Sequence, residues 1–434
     1  MSSVPSIGIG SLRRQIAAGT SEPLWRSAYS LMLNVALTSA LGFAFWIVAA
    51  RMFPASTVGR DSALVSAMIT LSTICQLNLG SAILRFLPVV KLDPGRAVIG
   101  SYLISSGLTA VMGLLFVLVA PELSSSYRFL SDEPWIGGLY VLAAASWGVF
   151  ALQDAVLTAM RRAPWVPLEN ATFGAMKIAA LPVLLALGGA HAVFVAWVIP
   201  MVILLIPVNY LIFRRVLPAR LEATEELSPV ERFGWHGLLR FLAQDYLASI
   251  FAQAASTILP VLIVAIVGTT ANAYFYIPFT VVSAFDLVFL NVTSSLTVEG
   301  ALAGSQVPSL VRAVVRRMRY PLIAGILALI AFAPIILLPF GSHYVQAGTP
   351  VLRLLACASA FRMAGALLVA ICRIEGRASR ILGLQAAVFV LVIGCTVLLG
   401  RSGGIEGVAL AWLIANALTG TLAVPFLWRT LRTR

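Results

Sequence analysis

The chain is built from runs of about 20 apolar residues separated by short polar segments, and each run is long enough to cross the hydrocarbon core of a bilayer as a helix. With 60% hydrophobic and only 11% charged residues, the composition excludes a soluble globular protein. The sequence therefore predicts an all-α integral membrane protein. We predict twelve transmembrane spans, numbered in chain order, at residues 25–51, 59–88, 97–120, 136–160, 168–189, 192–213, 236–267, 271–299, 319–340, 349–374, 379–400 and 404–428.

Basic residues indicate the orientation of the spans, because basic loops resist translocation. With the N-terminus in the cytoplasm, 22 of the 30 Lys and Arg residues fall in cytoplasmic segments, four fall on the opposite side and four lie inside spans. This asymmetry predicts a multi-pass membrane protein with both termini in the cytoplasm, and we expect the membrane to be the bacterial cytoplasmic (inner) membrane. The net charge of +13 then reflects topology and attraction to anionic headgroups, and we predict no nucleic-acid partner.

The longest break between spans, residues 214–235, divides the chain into two sets of six spans. The two sets are weakly similar: Arg161 corresponds to Arg373, and Trp197 corresponds to Trp412, at similar offsets. Repeats of six spans share one orientation, so we expect a pseudo-two-fold axis along the membrane normal and a substrate site between the lobes. The predicted organisation is a cytoplasmic N-terminal segment at 1–24, an N-lobe at 25–213, a cytoplasmic linker at 214–235, a C-lobe at 236–428 and a cytoplasmic tail at 429–434.

Polar side chains form stripes on the first two spans of each half. On span 2 they lie three, four or eight residues apart, so they share one slowly drifting face that only Ile74 interrupts. Such stripes indicate either hydrogen bonding between buried helix faces or the lining of an aqueous cleft, and the symmetry of the halves favours the cleft. Their members include Ser62, Ser66, Thr70, Asn78, Ser81 and Arg85 on span 2, Asn34 on span 1, Asp245 and Ser249 on span 7, and Asn291 on span 8.

Three stretches of the sequence carry a resemblance to a known family: "LGFAFWIVAARMFPASTVGRDSALVSAMITLSTICQLNLGSAILRFLP", "QDAVLTAMRRAPWVPLENATFGAMKIAALP" and "VLRLLACASAFRMAGALLVAICRIEGR". They resemble the polysaccharide transporter branch of the MOP flippase superfamily, the Wzx-like proteins. The resemblance implies a MOP/MATE-like fold of two six-helix lobes around a cationic cavity. It further implies that a polyprenyl-diphosphate-linked oligosaccharide is moved to the outer leaflet by alternating access without ATP, for cell-surface polysaccharide assembly. The implied partners are this substrate, membrane lipids and polysaccharide-assembly proteins.

Charged residues inside the spans are costly in lipid and are expected to face protein or water. Because guanidinium groups bind phosphate oxygens bidentately, we predict that Arg85 meets the substrate diphosphate at the cytoplasmic entrance. Arg362, together with Lys177, would hold the diphosphate at mid-membrane. Arg353, near the outer mouth, would contact either the substrate or a lipid headgroup. Further candidates for the cavity wall are Asn34, Asn78 and Asn291.

Structural roles compete with these predictions. Arg85 lies near the cytoplasmic end of span 2, where its side chain can reach the headgroups. Lys177 and Asp154 lie at similar depth on consecutive antiparallel spans, and the sequence favours a structural ion pair between them. We expect Arg362 to have no buried partner, so that its removal should affect export and leave the protein abundant.

Transport without ATP needs another source of energy, and cation entry down the membrane potential can supply it. We predict Asp245 as the ion-coupling residue, with the hydroxyl of Ser249 one turn further along and Asp286 as another candidate, for either Na⁺ or H⁺. The alternative for Asp245 is a salt bridge to Arg240. No other cofactor and no resident metal is predicted.

Other classes of protein fit the sequence less well. An ATP-driven pump needs a phosphate-binding loop in which Lys follows Gly, and neither Lys91 nor Lys177 follows a glycine. An enzyme of the membrane would usually carry acidic or His groups on large external loops, and the longest predicted one is short. A MATE-type exporter of small organic cations remains the alternative, because acidic residues lie within the spans.

Overall fold

The computed structural model describes residues 33–87, 94–160, 162, 164–218, 235–303 and 307–432, and these residues form helices joined by short connections, without a β-strand. The predicted N-terminal segment, most of the predicted linker and the side chains of Arg85 and Asp245 lie outside the described part. The helices of the first half are α1 Leu33–Met52, α2 Ala55–Cys75, α3 Leu79–Phe86, α4 Pro94–Leu123, α5 Phe129–Asp132, α6 Pro134–Ala159, α7 Trp165–Ala186 and α8 Ala192–Leu211.

The second half repeats this all-helical layout with longer elements. Its helices are α9 Trp235–Thr257, α10 Leu259–Ile266, α11 Thr269–Ala303, α12 Val307–Ala331, α13 Ala333–Leu337, α14 Ser342–Ile374 and α15 Ala378–Arg432. Proline stands in the first turn of α6, α10 and α13, where its missing N–H costs no helical hydrogen bond. These prolines separate α10 from α9 and α13 from α12, with bends of 42° and 71°.

The described helices include eight that are long and apolar enough to span a membrane, or up to ten if each bent pair is one span, rather than the twelve we predicted. Two features account for the difference. The second predicted span is broken after Cys75, and its first part carries Arg60 and Asp61 together with the polar stripe. Predicted spans 11 and 12 are merged in α15, but the backbone of Gly404 is non-helical at φ 56° and ψ −141°.

The break in the second predicted span also corrects the expected stripe. Leu77 and Asn78 have positive φ angles of 48° and 58°, and Asn tolerates this left-handed conformation better than most residues do. α3 therefore leaves the line of α2, and the polar residues do not form one continuous face across the membrane. Ile74, which interrupts the stripe in the sequence, accepts a hydrogen bond at its carbonyl from the Tyr246 hydroxyl of α9.

The two halves pack as separate bundles that meet along α2. In the first half α2 packs against α4, α6 and α8, and in the second half α14 packs against α11 and α15. Contacts between the halves run mainly from α2 to α11, with further contacts to α9 and α10. Lipid tails are as apolar as the side chains, so helices in a membrane associate through close packing and small residues, which fits the small residues where α2 meets α11.

Candidate transport pathway between the two halves

The halves approach each other closely at the start of α2. A Cβ atom on Gly59 would lie 1.8 Å from the carbonyl oxygen of Thr269 and 2.8 Å from the amide nitrogen of Ala273, so only glycine fits there. Beside it the buried Asn272 amide donates to the Gly59 carbonyl at 2.7 Å and to the Ser62 hydroxyl at 3.1 Å. We call this end of the molecule the predicted outer end; it comprises residues 51–62, 124–135, 190–194, 261–272 and 338–341.

Further hydrogen bonds join the halves at the predicted outer end. Arg51 donates from Nε to the Pro339 carbonyl at 2.6 Å and from Nη2 to the Leu338 carbonyl at 2.9 Å. The Tyr127 hydroxyl donates to the Val261 carbonyl at 3.0 Å. Burial raises the pKa of Tyr127 above its ordinary value, so the phenol remains a neutral donor. Side chains of the first half thus donate hydrogen bonds to backbone carbonyls of the second half at several points.

A buried carboxylate links the start of α2 to the start of α8 within the first half. Asp61 is fully buried and accepts hydrogen bonds from the backbone N–H groups of Val193 and Phe194, each at 3.1 Å. These groups belong to the first turn of α8, where a negative charge is stabilised by the helix dipole. Arg60 and the buried His191 complete the cluster, at 3.2 and 3.6 Å from the Asp61 carboxylate. The sequence-based argument missed this cluster, although Arg-Asp at the start of an apolar span is a visible signal.

At the opposite end a cavity of about 440 Å³ opens between α3 and α6 of the first half and α9 of the second. We call this end, with residues 76–86, 154–160, 212–218, 307–319 and 372–380, the predicted inner end. Two of the predicted site residues, Asn78 and Ser249, meet in the cavity wall, together with Asp154, for which the sequence favoured a structural ion pair. Ser81, Thr158 and Tyr246 line it as well, so the described wall combines polar side chains and one carboxylate with a largely apolar surface, and it contains no Lys or Arg.

The predicted ion pair between Asp154 and Lys177 is not formed in the structure. Both carboxylate oxygens of Asp154 accept from the Asn170 side-chain amide, at 3.2 and 3.1 Å. Glu169, which the sequence argument overlooked, is buried beside this pair, and neither of its carboxylate oxygens has a hydrogen-bond partner in the described part. The inner wall of α6 and α7 therefore contains two acids, of which one faces the cavity.

Lys177 lies instead in a cage of aromatic rings. It is 5% exposed, and its ammonium nitrogen lies 3.8 Å from the ring centre of Trp197, 4.9 Å from that of Phe173 and 5.0 Å from that of Phe45. Ring faces attract a cation electrostatically, which offsets part of the cost of burying it. Lys177 is not part of the cavity wall, and its role toward a substrate stays a prediction.

Arg362 has the buried partner that we did not expect. Its Nη1 lies 2.8 Å from the Asp286 carboxylate, which is 1% exposed, and its guanidinium stacks 5.4 Å from the ring centre of Trp412. The pair joins α14 to α11 inside the second half. The expectation of an unpartnered cavity charge is therefore wrong, and Asp286 is engaged in an ion pair in this state of the molecule.

The remaining predicted residues are dispersed. Arg353 is exposed and donates to the Ile330 carbonyl at 3.1 Å. Asn34 is half-buried on α1, and Asn291 is exposed on α11. The Ser249 hydroxyl donates to the Tyr246 carbonyl at 2.8 Å, which leaves its oxygen able to accept. Among the described residues no group of three or more His, Cys, Asp and Glu side chains is placed to hold a metal ion.

Comparison with known proteins gives similarity of structure only. No protein-family model matches the chain, and no curated protein matches it. A multidrug resistance MATE family transporter of the MOP superfamily in an inward-facing conformation superposes with a TM-score of 0.67 at 15% identity, over 92% of this chain and 98% of that one. The outward-facing conformation of a multidrug resistance MATE family transporter gives 0.56 at 14% identity, over 95% and 97%.

A third solved structure is of a MOP superfamily transporter from Pyrococcus furiosus Vc1, whose description states that a binding pocket of reversed polarity suggests a different function. It superposes with a TM-score of 0.63 at 15% identity, over 95% of this chain and 96% of that one. All three superpositions extend across both halves. The chain therefore has the two-lobed, all-helical fold of MOP superfamily transporters.

Proposed function

We propose that the protein is a membrane transporter that works by alternating access of a site between its two halves. The observation that carries the proposal is the contrast between the ends. Hydrogen bonds and close packing join the halves at the predicted outer end, whereas a cavity with polar side chains in its wall lies between them at the predicted inner end. Rocking of one lobe against the other would move this opening to the opposite side.

Two observations support a cavity that opens toward the cytoplasm. The higher TM-score to the inward-facing MATE transporter than to the outward-facing one supports an inward-open state. The basic residues predict that the cavity end faces the cytoplasm, with both termini on that side of a bacterial inner membrane. The protein would then load its substrate from the cytoplasm and export it.

Small organic cations are the substrates that the described cavity favours. A volume of about 440 Å³ suits a drug-sized molecule, and the Asp154 carboxylate supplies the only charge in the described wall. The Asn170 side-chain amide donates to both carboxylate oxygens of Asp154 and so fixes the orientation of this carboxylate. Two of the neighbours in fold are described as multidrug resistance transporters, which supports the same assignment.

A polyprenyl-diphosphate-linked oligosaccharide is the second candidate substrate, with one positional observation in its favour. Arg85 follows Ser81 by one turn of α3, and Ser81 lies in the cavity wall, so the two positions share one helix face. The resemblance of the sequence to oligosaccharide flippases supports this candidate. The transporter from Pyrococcus furiosus indicates that pockets of opposite polarity occur on this fold.

One pair of assays separates the two substrates. Cells lacking their own efflux pumps would be tested for export of a quaternary ammonium dye, and cells lacking an oligosaccharide flippase would be tested for restored surface polysaccharide. We expect Asp154→Asn to reduce dye export about tenfold, equivalent to about 1.4 kcal/mol of binding, and the exposed control Asp132→Asn to leave it unchanged. Undiminished dye export by Asp154→Asn would contradict the cation assignment. Restored polysaccharide that is lost in Arg85→Gln would favour the flippase.

A further inference from the structure

A second cavity lies inside the second half, away from the pathway between the halves. It has a volume of about 300 Å³ and is enclosed by α11, α12, α14 and α15 near the predicted inner end. Its wall is almost entirely apolar, with Phe289, Met363, Leu367 and Leu427 buried around it. A space of this kind has few partners for water, and its shape and chemistry suit a hydrocarbon chain.

Basic residues stand beside the mouth of this cavity. The first part of α12 carries four exposed arginines, Arg312, Arg316, Arg317 and Arg319, and the helix contains no acidic residue. Three of them, at positions 312, 316 and 319, are spaced four and three apart and so share one helix face. Arg319 itself lines the cavity, and its guanidinium is positioned by the adjacent Tyr320 through a hydrogen bond of 2.8 Å to the hydroxyl and a ring contact at 4.5 Å.

The two features together have the chemistry of a phospholipid site. Clusters of four or more basic residues at the cytoplasmic end of a transmembrane helix attract anionic headgroups, and basic pockets between transmembrane helices bind them. Guanidinium groups bind phosphate oxygens in a bidentate manner. The adjoining apolar cavity would then take the upper part of an acyl chain, which a soluble phosphate compound does not have.

We propose that an anionic phospholipid binds here, with its phosphate on Arg316 and Arg319 and one acyl chain in the cavity of the second half. The lipid would be a resident ligand rather than the cargo, because the site is separated from the cavity that Asp154 lines. Since α11 and α14 also carry the Asp286–Arg362 pair, a bound lipid would support the packing of this lobe. The inference does not depend on which substrate the protein transports.

The headgroup part is tested by native mass spectrometry of the full chain titrated with dioleoyl phosphatidylglycerol. We expect Arg316→Gln with Arg319→Gln to weaken retention of this lipid about fivefold for each arginine removed. The matched control is Arg214→Gln with Arg215→Gln, two exposed arginines near the predicted inner end of the first half, which should leave retention unchanged. Dioleoyl phosphatidylcholine should bind more weakly than phosphatidylglycerol. Equal loss in both pairs, or equal binding of the two lipids, would overturn the proposal.

The chain part is tested by filling the cavity mouth. Ala360 is exposed and lines the cavity, so Ala360→Phe should fold, and it should displace the lipid; the exposed Ala387→Phe on α15 is the control. Glycerol 3-phosphate, which has the headgroup chemistry without a chain, should not compete with the lipid. Undiminished lipid retention in Ala360→Phe, or full competition by glycerol 3-phosphate, would show a headgroup contact only and refute the proposal. A change in dimer content with unchanged lipid retention would assign the face to a second copy and also refute it.

Discussion

The predicted outer and inner ends of this molecule differ in how the two halves meet, although the same helix, α2 with its continuation α3, runs through both. At the outer end a glycine allows backbone contact, and a buried amide bridges the halves. At the inner end α3 turns away at Leu77 and Asn78, and polar side chains line an open cavity. In the proposed transport cycle, the contacts of α2 at the outer end close the pathway in this state and would have to separate in the other.

The largest effect is expected from a substitution that breaks the buried ion pair inside the second half. Removing the guanidinium in Arg362→Ala leaves the buried Asp286 carboxylate without its partner, which costs about 3–5 kcal/mol of folding free energy. We expect a lower thermal unfolding midpoint and reduced abundance, and partial recovery when Asp286→Asn is added. Wild-type stability of Arg362→Ala with loss of transport would instead assign Arg362 to substrate binding.

Matched glycine substitutions sharpen the comparison directly. Gly59→Ala places a Cβ against the backbone of α11 and should lower the free energy of unfolding by about 1–3 kcal/mol while abolishing most transport. Gly80→Ala, in the inner cavity wall, meets only side-chain atoms at 3.8 and 3.9 Å and should be neutral or stabilising by about 0.4–1 kcal/mol. Chemical denaturation and a transport assay would measure both. Equal effects of Gly59→Ala and Gly80→Ala would contradict the difference in packing between the two ends.

Removing a hydrogen bond between the halves should also cost more stability at the predicted outer end than at the predicted inner end. Asn272→Ala removes two buried bonds to α2 and leaves the Gly59 carbonyl without this donor, at a cost of about 1–3 kcal/mol. Tyr246→Phe removes one partly buried bond to Ile74 and should cost about 0.5–1.5 kcal/mol. Unfolding midpoints of the two variants give the comparison. A larger cost for Tyr246→Phe would place the main contact between the halves elsewhere.

The smallest effect is expected at Lys177, which belongs to neither end. Lys177→Met loses an attraction to aromatic rings of about 0.5–2 kcal/mol, and it also removes the cost of burying a charge. We therefore expect a stability change below about 1 kcal/mol and transport within about twofold of wild type. Loss of transport with an intact fold would support the substrate role that the sequence predicted for Lys177.

The sequence predicted the fold class and the two-fold division because both depend on periodic apolar runs and on the placement of arginines. Asn78 and Ser81, two members of the predicted polar stripe, lie in the wall of the inner cavity, and their role toward a substrate stays a prediction. The sequence did not predict partners of charged residues. Arg362 pairs with Asp286, 76 positions away, and Lys177 is surrounded by rings from α1, α7 and α8, and such contacts depend on how the helices rotate against one another.

The same limit explains why the outer cluster was missed. Asp61 lies near the start of predicted span 2, but its importance comes from the first turn of α8, 132 positions further along the chain, where it accepts a hydrogen bond from the backbone N–H of Val193. The sequence also did not show that the helix changes direction at Leu77 and Asn78. The residues of a polar stripe have the same spacing in sequence whether the helix is straight or broken. Asn78, within an apolar span and two residues before Gly80, was the one local signal.

The central claim is that the outer contacts must open during each transport cycle, and a reversible cross-link tests it most directly. Arg51 and Pro339 are exposed and in contact across the halves, so Arg51→Cys with Pro339→Cys can be joined by a short bifunctional thiol reagent after Cys75, Cys357, Cys372 and Cys395 are replaced. We predict that cross-linking stops transport and that a reductant restores it. Transport by the cross-linked protein at the rate of the reduced protein would contradict the account.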